Sequence, residues 1–130
     1  MKKITQIALN AWQAGESDGN YIEFIELLST DFDLFSQPLM GKFTGKEALI
    51  KMKELISERQ ENPNSLTFSN LVITTDESYS AVSFDSKGTV MSGRYPYEGY
   101  NSIQFKFTND KVSGFREYFG FVDPEMFNAK

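Results

Sequence analysis

The chain has 130 residues and a net charge of −5, with 12 Phe, 6 Tyr and one Trp but neither Cys nor His. Its 13 Lys and Arg form no cluster, which excludes the cationic footprint of a nucleic-acid binder, and no run approaches the roughly 18 apolar residues of a membrane span. The missing residue types exclude a Ser-His-Asp triad, an imidazole base, a thiolate nucleophile and an ordinary zinc site, leaving carboxylates, Lys, Arg, Tyr and amides for any chemistry.

The basic start MKKITQIALNAW is interrupted by Gln6, Asn10 and Gln13, so no secretory core forms and the chain reads as soluble and cytoplasmic. Ile4, Ile7, Ala8, Ala11 and Trp12 recur at helical spacing and predict a first helix that stops at Gly15. Tyr21, Phe24, Ile25 and Leu28 form a second stripe. Residues 31–36 alternate as a short strand, and Gln37-Pro38 turns the chain. Thr44, three residues before Glu47, makes a capping box for a third helix. Ala48, Leu49, Met52, Leu55 and Ile56 are that helix's apolar face, and Asn62-Pro63 ends it. Its charges, Lys46, Glu47, Lys51, Lys53, Glu54, Glu58 and Arg59, read as a solvated face. Asp31, Asp33, Asp76 and Glu77 are scattered over turns and lack the spacing of a calcium loop.

After Pro63 the hydrophobic period changes to that of strands. Residues 66–74, 79–84, 89–95, 101–107 and 112–119 are the candidates, with a tight hairpin at Asn109-Asp110. Residues 85–88 fit a hairpin turn or a bulge within one long strand equally well. Residues 93–100, with three Tyr, read as a connection covering a sheet edge or as a preformed wall beside a pocket. Asp123-Pro124-Glu125 opens a short terminal helix whose Met126 and Phe127 either close the pocket mouth or pack on a partner. Helices first and strands second give an α+β fold, with one domain over residues 1–130. A core face carrying several Phe has to curl around short helices, so the natural product is a half-open cone with an apolar cavity.

Gly93-Arg-Tyr-Pro-Tyr-Glu-Gly-Tyr-Asn101, Phe105-x-Phe107, Asp110-Lys-Val112 and Arg116-Glu-Tyr-Phe119 together resemble SnoaL-like proteins. These belong to the nuclear transport factor 2-like superfamily, which includes ketosteroid isomerase. The front half agrees through Gly45-Lys-Glu-Ala-Leu49, so the resemblance covers nearly the whole chain. It implies three N-terminal helices packed in a strongly curved antiparallel sheet, a pocket, no cofactor, and usually a homodimer. It also favours the bulged long strand at residues 85–88. The groups that ketosteroid isomerase uses are absent: its base position matches Gln37 before Pro38, its oxyanion acid falls near Ile103, and its tyrosine near Ala8. An amide accepts no proton at neutral pH, so the resemblance does not extend to steroid isomerisation.

One ionisable candidate remains. Alternation puts Phe115, Glu117 and Phe119 on the core face of the last strand and Arg116 and Tyr118 on the other. Phenazine-biosynthesis isomerase-like relatives use a Glu in a similar Arg-Glu-aromatic motif, which implies acid/base work for Glu117. A carboxyl among rings would lose hydration, and its pKa would rise toward neutrality. The equal alternative is that Glu117 hydrogen-bonds Asn101 or Tyr97 and orients the pocket. Trp12, Phe35, Gln37, Met40, Tyr97, Asn101, Phe105, Phe115 and Phe119 are the expected ligand contacts. Ser102, Gln104, Arg116 and Tyr118 are the expected dimer face. Three functions fit: an isomerase, cyclase or dehydratase acting on an aromatic or polyketide-like molecule, a binder of such a molecule, or an interaction domain whose cone is filled by Trp12, Phe24, Phe35 and Phe105.

Overall fold

Small and polar residues divide the N-terminal half into α1 (Lys2–Asp18), α2 (Ile22–Leu27), β1 (Leu34–Gln37), β2 (Gly41–Thr44) and α3 (Lys46–Glu61). Four long strands follow: β3 (Ser65–Asp76), β4 (Tyr79–Val90), β5 (Tyr95–Thr108) and β6 (Lys111–Gly120). These assignments come from a computed structural model that describes residues 1–120. The helix expected at Asp123-Pro124-Glu125, with Met126 and Phe127, lies outside the described residues.

α1 runs past the expected stop at Gly15 and ends at Gly19, whose φ of 86° is the left-handed cap conformation. Gly15 serves space rather than termination, because a Cβ there would lie 2.1 Å from the Tyr21 ring. The bare backbone lets the start of α2 lie against α1. α3 has Gly45 at its N-cap and no side-chain cap hydrogen bond, so the Thr44–Glu47 box does not form. Thr44 instead ends β2, opposite Leu34. β2 itself carries no alternation legible in Gly-Lys-Phe-Thr.

The six strands form one curved, unclosed sheet in the order β2-β1-β6-β5-β4-β3. Every ladder is antiparallel except that between β1 and β6, where Leu34, Phe35 and Ser36 lie parallel to Gly114, Phe115 and Arg116. Residues 85–88 are neither a turn nor a bulge, since β4 passes through them in continuous register with Tyr100, Gly99, Glu98 and Tyr97. The irregularity lies on the neighbouring strand, where Asn70 and Leu71 of β3 oppose Phe84 alone. That bulge bends and twists the sheet. The real turn is at Met91, Ser92 and Gly93, all with positive φ, and β5 begins directly after it. Residues 95–100 are therefore strand rather than connection. Asn109 and Asp110, with φ of 52° and 60°, make the expected tight hairpin.

Inside the curl, Trp12 packs its ring within 5.1 Å of Tyr21, 4.9 Å of Phe24 and 4.8 Å of Phe115, centroid to centroid. Phe35 stacks on Phe115, and Phe105 meets Phe24 and Phe115. Such pairs contribute about 0.5–1.5 kcal/mol each beyond the area they bury. Trp12, Phe35, Phe105 and Phe115 are thus fully buried in the core and do not line the cavity, contrary to their expected role as ligand contacts. No helix among the described residues is long and apolar enough to cross a membrane.

Candidate functional site

Beside this aromatic plug, a cavity of about 580 Å³ opens between the end of α3, the β1–β2 turn and the β4–β5 hairpin. Gln37, Met40, Tyr97, Asn101, Glu117 and Phe119 are among the residues that line it. Leu55, Leu66 and Val90 supply an apolar wall, and Leu39, 83% exposed, stands where the cavity meets solvent.

Three side chains converge at the floor. Arg59, from the last turn of α3, donates from Nη2 to Glu117 Oε1 at 2.8 Å and from Nη1 to Glu117 Oε2 at 3.0 Å. The same Nη1 donates to Glu16 Oε1 near the end of α1, and Asn64 Nδ2 donates to Glu16 Oε2 at 2.7 Å. The guanidinium also lies over Trp12, its Cζ 5.5 Å from the ring centroid, a cation–π contact that ties the ion group to the plug. All three side chains are nearly out of solvent, Arg59 at 11%, Glu16 at 3% and Glu117 at 5% exposure.

Two carboxylates facing one guanidinium leave a surplus negative charge when both are ionised, and burial makes that surplus costly. Burial is accordingly the main cause that raises the pKa of Glu16, and the charge of Glu117 adds to it against the pull of Arg59 and Asn64. For Arg59, burial works against the charge, but Glu117 and then Glu16 outweigh it and hold its pKa well above the ordinary value. Burial also pushes the Tyr21 hydroxyl up, with Glu16 adding to the effect.

The expectation of a lone carboxyl among rings is therefore corrected, since both oxygens of Glu117 are engaged by Arg59. So is the reading of Arg59 as a solvated charge. The Tyr97 hydroxyl donates to Asn101 Oδ1 at 3.2 Å. Gln37 uses Oε1 to accept the backbone N–H groups of Leu39 and Met40, both at 2.8 Å. Its carbonyl thus shapes the β1–β2 turn, and its amide nitrogen is the end available to the cavity.

A signal for the missed residues exists in the sequence. Arg59 stands three and four positions after Ile56 and Leu55, and Glu16 stands four after Trp12, so both continue apolar helical stripes. Position, rather than residue type, marks them as inward-facing. Among the described residues no group of three or more carboxylates is placed to hold a metal ion.

On the outer sheet face, Ser102 lies across from Tyr118 and Gln104 from Arg116. Tyr118 is 50% exposed there.

Neither a family model nor a curated protein matches the sequence. Solved structures do. An NTF2-like protein from Anabaena variabilis superposes with a TM-score of 0.77 at 26% identity, covering 92% of this chain and 89% of that one. A presumptive polyketide cyclase from Pseudomonas putida has a TM-score of 0.68 at 15% identity, covering 88% of this chain and 90% of that one. A protein from Catenulispora acidiphila with a ketosteroid isomerase-like fold, solved in complex with trimethylamine, has a TM-score of 0.65 at 11% identity, covering 88% and 85%. The chain shares its curved sheet and packed helices with these proteins, and its fold is NTF2-like.

Proposed function

We propose that the chain binds a small, largely apolar molecule, aromatic or polyketide-like, with the molecule's body against Leu55, Leu66 and Val90 and its polar end on the floor of the cavity. The observation that carries this is the cavity itself: about 580 Å³ of open space, within the usual range for small-molecule sites, with an apolar wall and a few converging polar groups. A cone filled throughout would have favoured the interaction-domain reading, but the rings fill only one part of it. The test is calorimetric titration with aromatic and polyketide-like compounds against wild type and Val90→Trp, which fills the cavity from a half-buried wall position. Binding that disappears in Val90→Trp, in a variant that melts normally, supports the site; binding that persists unchanged refutes it.

A second reading adds proton transfer, as in an isomerase, cyclase or dehydratase. The observation that favours it is the buried carboxylate pair on one guanidinium, with the pKa of Glu16 raised by burial. Both carboxylates line the cavity, and in this reading Glu117 passes a proton to or from the ligand beside Glu16. Glu117→Gln should then lower the turnover of bound ligand by about 100-fold or more. Gln37, standing where ketosteroid isomerase-like proteins carry a carboxylate, favours binding without conversion. Self-association through Ser102, Gln104, Arg116 and Tyr118 belongs to the same proposal, and Tyr118→Glu should yield monomers in sedimentation if that face is the contact.

A further inference from the structure

The ionisable lining of the cavity is one-sided: Glu16, Glu54, Glu58 and Glu117 stand against Arg59 as the only cation that lines it among the described residues. Lys51 approaches Glu54 at 3.2 Å but does not line the cavity. Arg59 is committed to other groups. Its two terminal nitrogens make three hydrogen bonds to the paired carboxylates, and its plane rests over Trp12. A ligand carboxylate or phosphate would have to displace Glu16 or Glu117 and leave a buried acid without its cation.

The acceptors, by contrast, are underused. Arg59 and Asn64 give each of the four oxygens of Glu16 and Glu117 one hydrogen bond, and the Tyr21 hydroxyl also faces Glu16. Since a carboxylate oxygen has room for two, acceptor positions remain open, chiefly on Glu117. One further cation placed here would balance two acids with two bases and fill acceptor positions at the same time. The amides of Gln37 and Asn101 supply polar contacts without changing this charge count.

Building on the small-molecule reading above, we propose that the ligand carries a protonated amine, or a comparable cationic hydrogen-bond donor, seated against Glu16 and Glu117, and that molecules of the same skeleton ending in an acid are rejected. The exposed Glu58 gives the mouth the same sign, with Glu54 offset by Lys51, so it draws such a ligand in and repels anions.

Three probes of one skeleton test this: 4-phenylbutylamine, 4-phenylbutanol and 4-phenylbutyrate, titrated calorimetrically into the full chain at neutral pH and low salt. The amine is expected to bind at least about tenfold tighter than the alcohol, with the acid weakest. Glu117→Gln should reduce the amine-to-alcohol ratio by about tenfold, and the exposed Glu58→Gln, which does not threaten folding, by about two- to threefold. An amine no tighter than the alcohol, an acid that matches the amine, or a ratio unmoved in both variants overturns the cationic head while leaving the small-molecule reading in place. Absence of binding by all three at millimolar concentration overturns that reading, and the inference falls with it.

Discussion

Arg59 is shared by two carboxylates, so removing different members of the group has unequal consequences. Arg59→Met strips the cation from two buried acids and should destabilise the fold by about 3–5 kcal/mol in urea unfolding. Glu16→Gln removes the surplus charge and leaves one acid against one base, but sets an amide N–H against Arg59 or Asn64, so it should cost less than Arg59→Met, about 1–2 kcal/mol at neutral pH. The pH dependence follows from the direction of the Glu16 shift. A native pKa above the unfolded value means that the native state binds more protons in between. Stability therefore falls as pH rises from the ordinary carboxylate value of 4.5 through the raised native one. Unfolding free energies measured across that window should slope downward in wild type and lose this component in Glu16→Gln. At this scale the sequence was only half legible. Glu117 showed itself because a strand alternates strictly and two Phe flank it on the same face. Arg59 and Glu16 were hidden because a charged side chain on a helix is ordinarily solvated, and only their places on the apolar stripes indicate otherwise.

Among the elements, β4 is the one whose local composition and final structure disagree most. Asp-Ser-Lys-Gly has the chemistry of a turn, yet neighbours on both sides hold residues 85–88 in the ladder, and tertiary pairing overrides the local preference. Gly88 is required for another reason: a Cβ there would sit 1.9 Å from the Ser65 carbonyl oxygen, at a φ of 154°. Gly88→Ala should therefore cost more than about 1 kcal/mol in chemical denaturation, although alanine is ordinarily a mild replacement. The Asn109-Asp110 turn was readable because its geometry depends on those two residues alone. β2 was not, because four residues without alternation become a strand only through their pairing with β1.

Across the whole molecule, the plug and the cavity divide the work of the cone's interior. Phe105 belongs to the plug and Phe119 to the cavity. Phe105→Ala should destabilise by about 3–5 kcal/mol. Phe119→Ala, at a partly exposed position, should cost much less stability and act mainly on ligand affinity, and denaturation and titration on the two variants separate these effects. The α+β class and the curl were legible because they follow from element order and aromatic load. Which rings fill the core and which line the hollow was not, since both groups share the same alternating faces and differ only in their position along the sheet.

The parallel ladder that joins β1 to β6 also sets an order of events. Among the described residues the β1–β2 hairpin reaches the rest of the sheet only through β6, whose residues, 111–120, follow all the other strands. A ribosome releasing this protein therefore extrudes the hairpin long before the strand that receives it. Pairing across so great a sequence separation is slow, and until it occurs Phe35 lacks Phe115, against which it pairs and stacks. The hairpin can meet α3 as soon as that helix is made, but it has no strand beyond itself to pair with until β6 emerges.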